Sequence, residues 1–107
     1  IRVLQPPWEP GSGTLAAVDG HFWDWTLWLG SKSLRQETDL VADELAKMYS
    51  FLLRPLGVEN RPGSIEDAVS LYLDARAEAS RQFRAPVSDK LGAQVRAALG
   101  RHGLIHQ

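Results

Sequence analysis

Residues 14–35 read TLAAVDGHFWDWTLWLGSKSLR and hold three of the four tryptophans in the 107-residue chain. Leu15, Val18, Phe22, Trp25 and Leu29 recur at spacings of three and four, which places them on one face of a helix. Trp23, Leu27 and Leu34 form a second apolar stripe on the other flank, with Gly30 beside it, where it would let a neighbouring backbone approach closely. A helix apolar on two flanks is covered on two sides, so this segment is predicted to be the central helix.

Upstream, residues 1–13 (IRVLQPPWEPGSG) contain three of the six prolines and a Gly-Ser-Gly. Proline removes amide donors and fixes φ, so this stretch is expected to be an extended arm or linker, with residues 1–4 the end of a strand belonging to something further upstream. Downstream, Thr38 is placed to cap a second helix running to about Arg54, with Val41, Leu45, Met48 and Leu52 inward. Pro55, Gly57 and Asn60-Arg61-Pro62-Gly63 make a loop, and Ser64 with Asp67 is a near match to a capping box opening a third helix. Its inward stripe is Ile65, Val69, Tyr72, Ala79 and Phe83; Arg76 falls within it and needs a carboxylate, for which Glu44 is a candidate. Pro86 interrupts this helix, and Ser88 is placed to cap a fourth, with Leu91, Val95 and Leu99 inward until Gly100 and Gly103 stop it. The expected fold is all-α, an antiparallel bundle of about four helices over residues 14–107 with an extended N-terminal arm over 1–13.

A hydrophobic fraction of 44% and a charged fraction of 23% belong to a globular chain, and its length suits one core. A net charge of −1 carries no basic field of the kind a dedicated nucleic-acid binder needs. With no cysteine, disulfides, thiolate catalysis and cysteine-ligated zinc are excluded. No apolar run approaches the ~20 residues that span a bilayer, so no membrane partner is expected and the cytoplasm is the default compartment. The opening Ile1, in place of Met, suggests a fragment or a processed chain. His21, His102 and His106 meet no metal-ligand spacing, and no metal site is expected. Searches for GxSxG, a Walker loop, GxGxxG and HExxH find nothing.

The chemistry-bearing feature is a stripe beside the core face of the first helix. His21, Asp24, Trp28, Lys32 and Arg35 follow spacings of three, four, four and three. Cations fix phosphate oxygens and an indole stacks on a ring, so this set suits a phosphorylated or aromatic ligand. Packing alone also accounts for it: Trp28 under a loop, i,i+4 contacts among Asp24, Trp28 and Lys32, and a lysine stem laid over apolar neighbours. The alternative is a stand-alone helical interaction module, a homodimer burying the surplus tryptophan surface. Arg101 with His106, and Arg96 with His102, have the Arg-x4-His and Arg-x5-His spacings found in ribonuclease-like helical domains of the HEPN type, a third alternative.

His21-Phe-Trp-Asp-Trp-Thr-Leu-Trp-Leu-Gly-Ser-Lys32-Ser-Leu-Arg35 resembles the first helix of the C-terminal helical domain of antibiotic-type nucleotidyltransferases, the relatives of aminoglycoside adenylyltransferases. There, an aromatic-rich helix with a Lys and a Leu-x-Arg directly follows the catalytic domain; residues 40–53 resemble the next helix. The resemblance covers about 40 residues. It implies that the chain is a substrate-binding domain closing over nucleotide and small-molecule acceptor. Lys32 matches the lysine that reaches the triphosphate, Asp24 or His21 would face the acceptor with Asp24 as the catalytic candidate, and Trp28 and Arg35 would line the same cleft. The family's catalytic Gly-Ser followed by paired aspartates is absent, since Gly11-Ser12 is followed by isolated Asp19 and Asp24. The resemblance therefore implies a partner catalytic domain, upstream or on another chain. Mg2+ and a nucleoside triphosphate are expected in the complete enzyme, with no cofactor bound by this chain alone.

Overall fold

The computed structural model describes residues 8–106 and contains four α-helices: α1 (Leu15–Leu34), α2 (Thr38–Met48), α3 (Ile65–Phe83) and α4 (Lys90–Arg101). The expected strand at residues 1–4 lies outside the described residues. No strand occurs among those described, so the chain is all-α. As expected, α1 is central and packs on α2, α3 and α4. Its radius of gyration of 13.2 Å is that of a close-packed domain of about this length.

The buried arc of α1 is displaced from the expected one. Leu15, Val18, Phe22 and Leu29 are buried as their spacing predicts, but they are joined by Asp19, Trp23, Thr26 and Gly30. Trp23 is completely buried, whereas Trp25 stands at the edge of the core. Leu27 and Leu34 are 47% and 50% exposed, so the second apolar stripe is not covered along its length. The reason is angular. At ~100° per residue, Leu27 lies ~40° beyond Trp23, past the edge that α4 covers. Phe83 is likewise only half-buried, and Leu91 lies at the exposed rim of α4. Buried Thr26 satisfies its hydroxyl by donating to the Phe22 carbonyl at 2.7 Å, one turn back.

Close approach of α1 and α4 rests on two glycines. A Cβ at Gly92 would lie 2.8 Å from the Trp23 ring, and one at Gly30 would lie 2.8 Å from Leu99 and 3.2 Å from Leu104. Gly30 thus makes room for side chains, where the sequence pointed to a backbone.

The second helix does not run unbroken to Arg54. α2 gives way to a π-helical turn, Tyr49–Leu53. Pro55 supplies the physical reason for one orphaned carbonyl there, because the Phe51 oxygen would ordinarily accept from the residue four on, and proline has no N–H. Trp8 takes that place, donating its indole N–H to the Phe51 carbonyl at 2.7 Å. The described end of the N-terminal segment is therefore pinned to the bundle. Ser64 caps α3 as expected, accepting from the Asp67 amide at 3.0 Å, while the Asp67 carboxylate accepts from Gly63 N–H in return. α2 begins one residue after Glu37, so Thr38 is its first residue and not its cap; Asp89 occupies the cap position of α4, next to Ser88.

Candidate functional site

Two polar constellations stand on α1, on opposite sides of the helix. On the outward side, the stripe read from the sequence is partly assembled. Trp28 is 41% exposed, and the Lys32 ammonium lies 5.5 Å from its ring centroid. Lys32 also reaches Glu37 at 3.8 Å. Asp24 is exposed one turn before Trp28, and Arg35 is exposed at the C-cap of the helix. His21 does not join them. Its ring centroid lies 5.6 Å from that of Trp25 and 5.4 Å from that of Phe51, turned toward the π-helical flank. The outward face thus presents a carboxylate, an indole with a cation over it, and a guanidinium.

On the inward side, the structure reveals a network that periodicity alone did not reach. Asp19 is buried, and its Oδ1 accepts three hydrogen bonds: from Trp23 Nε1 at 2.9 Å, Tyr72 hydroxyl at 2.6 Å and Arg76 at 2.9 Å. Arg76 continues to Asp89 at 2.8 Å, and Asp89 is gripped by both nitrogens of Arg96, at 3.1 and 2.6 Å. The partner of Arg76 is therefore the Asp19–Asp89 pair on α1 and at the start of α4. Glu44, the candidate from sequence, instead accepts from Trp25 Nε1 at 3.2 Å and pairs with Lys47 at 2.9 Å. The signal available in the sequence was the i,i+4 spacing of Asp19 and Trp23, with the carboxylate lying between the apolar positions of the central helix.

Burial, reinforced by the hydrogen bond to Asp19, pushes the Tyr72 hydroxyl well above the usual tyrosine range. For Arg76 burial works against the charge, but the hydrogen bonds to Asp89 and Asp19 outweigh it and raise its pKa. The Arg96 guanidinium holds the Asp89 carboxyl down to about 2, helped by Arg76. These are the properties of fixed ion pairs. The network locks α1, α3 and α4 together and keeps the completely buried Trp23 in one orientation, with Arg96 5.4 Å from its ring centroid.

Among the described residues, no three His, Asp or Glu side chains gather into a metal-binding group. The two carboxylates of the inward network are already engaged by arginines. These residues do not fit the magnesium that the nucleotidyltransferase resemblance implies. Arg101 ends α4 and His106 lies beyond it, its backbone N–H donating to Glu66, so the Arg-x4-His pair does not share a helix. Among the described residues, no helix is long and apolar enough to cross a membrane. No family model matches the chain, and neither curated proteins nor solved structures provide a match.

Proposed function

We propose that the chain is the helical substrate-binding domain of a nucleotidyltransferase-fold enzyme, working against a catalytic domain that supplies the metal-binding carboxylates. The observation that carries this reading is the Trp28–Lys32 pair: an exposed indole with an ammonium 5.5 Å from its centroid, on the helix that every other helix braces. Orienting a triphosphate requires partners held in fixed positions, and a central helix holds them better than a loop. In this role Trp28 is a stacking wall for a base or ring. Lys32 is a point charge for phosphate oxygens, and Arg35 is a second anchor one turn on. Asp24 accepts a proton from, or attracts, the acceptor; His21 supports the helix edge through Trp25 and Phe51.

The test uses the complete enzyme with Lys32→Met, which keeps length and removes charge. Loss of one charged contact, about 1.5–3 kcal/mol, should raise the KM for nucleotide roughly 10- to 150-fold while leaving folding nearly untouched. Normal nucleotide use by the Lys32→Met, Asp24→Asn double variant would sink the reading. A second reading, a homodimeric interaction module, draws on the exposure of Leu27 and Leu34 along the flank of α1 next to α4, with Trp28 exposed farther round the helix. It requires a concentration-dependent dimer that Leu27→Asp dissolves.

A further inference from the structure

Two hollows lie along the outer seam between α1 and α4, of about 370 Å³ toward the start of the helices and about 390 Å³ toward their ends. They are one helical turn apart on α4, where Gln94 lines the first and Ala98 the second. Three of the four large apolar side chains exposed among the described residues line them: Leu91 the first, Leu27 and Leu34 the second. The bundle thus leaves an apolar strip unburied along one seam. From Leu91 to His102 that strip follows α4 for about 17 Å, roughly three helical turns.

The ionisable side chains lining the two hollows are Asp19, Lys90, Arg35 and His102. Asp19 is buried and compensated by Arg76, which leaves a basic rim of Lys90 at one end and Arg35 with His102 at the other. Asp24, exposed about 60° farther round α1 than Leu27, lines neither hollow. From Lys90 to Arg101, α4 carries no carboxylate at all. We infer that this seam docks an amphipathic helix of a partner protein, with leucine-like side chains along one face and carboxylates on its flanks. A straight apolar strip with anchoring hollows one turn apart matches the i, i+3 or i+4, i+7 face of such a helix. Its carboxylates meet the basic rim, where complementary charge sets orientation and partner choice. A second copy of the chain, docked on this seam by two-fold symmetry, would set the basic rim against itself. A nucleic-acid backbone would answer the cations and leave the three leucines bare. Trp28 and Lys32, which carry the nucleotide reading, lie farther round the helix; Arg35 borders both surfaces and is left unchanged in the test.

The experiment is amide-resolved NMR titration of the chain with a helical peptide of about 15 residues, leucines on one face and glutamates on the other. Two controls carry lysine for every glutamate, or the same residues in an order without helical periodicity. The glutamate peptide should give saturable shifts at Leu27, Leu34, Leu91 and Ala98, and bind at least tenfold more tightly than either control. Leu34→Gln, at a side chain 50% exposed, leaves the fold intact and should weaken that binding several-fold. Lys90→Glu places a carboxylate in the first turn of α4, where the helix dipole accommodates it, and should weaken the glutamate peptide while strengthening the lysine one. No saturable shift, shifts centred on Trp28 and Lys32, equal affinity for a control peptide, or undiminished affinity in either variant overturns the docking site. A concentration-dependent dimer that Leu34→Gln dissolves overturns it as well, in favour of a second copy.

Discussion

The Tyr72 hydroxyl donates to Asp19 Oδ1 at 2.6 Å, joining α3 to α1 across 53 residues of sequence, and its ring stacks on Phe22 with centroids 3.9 Å apart. One carboxylate oxygen thus gathers the donors of Trp23, Tyr72 and Arg76, and the largest side chains of the core are arranged around it. The three donors are not equivalent. Tyr72→Phe removes one neutral donor and leaves the charge compensated, so it should cost about 0.5–1.5 kcal/mol. Asp19→Ala removes the shared acceptor of Trp23 and Tyr72 and one of the two carboxylates that compensate Arg76, leaving it Asp89 alone, and should cost about 3–5 kcal/mol. Denaturant unfolding of both variants checks the order; equal losses would mean that Asp19 acts through packing alone.

Gly20 and Gly92 should respond to alanine in opposite directions. At Gly20 the new methyl meets open space and the helix gains propensity, so stability should rise by about 0.5–1 kcal/mol, near 4 °C in Tm. At Gly92 the methyl would lie 2.8 Å from a Trp23 ring that cannot retreat, and overpacking should cost about 1–3 kcal/mol. Thermal scans of the two variants decide this. A destabilised Gly20→Ala would show that something in the chain already crowds that position.

How far the residues alone disclose this fold varies by element. The existence and order of the four helices follow from apolar spacing and from the caps, as Ser64 with Asp67 illustrates. Which tryptophan is central does not. Trp23 and Trp25 both lie within apolar stripes, and only the Asp19 acceptor beneath Trp23 and the gap at Gly92 select it. The partner of Arg76 was beyond reach because it depends on how α3 meets α1 and the start of α4. The π-helical turn left only an indirect trace, the proline at position 55. Of the outward stripe, spacing brought Trp28 and Lys32 together correctly, but the wheel cannot show that His21 turns to Phe51, which belongs to another element.

Acid should weaken the bundle through Asp89. Its carboxyl is held at about 2, against an ordinary value of 3.8. A group depressed in the folded state contributes stability above its unfolded pKa and loses it as pH falls toward the folded one. The window is therefore pH 4 down to about 2. Because the Asp89 side chain is 49% exposed, solvent screening leaves a contribution below about 1 kcal/mol. Stability measured from pH 5 to 2 should fall more steeply in the native chain than in Arg96→Met; identical slopes would remove Asp89 as the cause.

Trp23 and Trp28 lie five residues apart on one helix and should behave as residues of different kinds. Trp23 is completely buried, its indole N–H is satisfied by Asp19, and Arg96 covers its ring. Replacement by alanine opens a large cavity, frees one acceptor site on the Asp19 carboxylate and should cost about 3–5 kcal/mol. Trp28 is 41% exposed and its contact with Lys32 is an exposed cation–π pair, worth about 0.5–1 kcal/mol. Trp28→Ala should therefore change stability by no more than about 1 kcal/mol, the range of an ordinary surface substitution with one lost contact. A large exposed indole that contributes so little to its own fold is the expected property of a side chain kept for a ligand or a partner domain. The measurement is chemical denaturation of both variants beside the native chain. If Trp28→Ala destabilises as strongly as Trp23→Ala, the outward face is structural and the nucleotide reading loses its supporting residue.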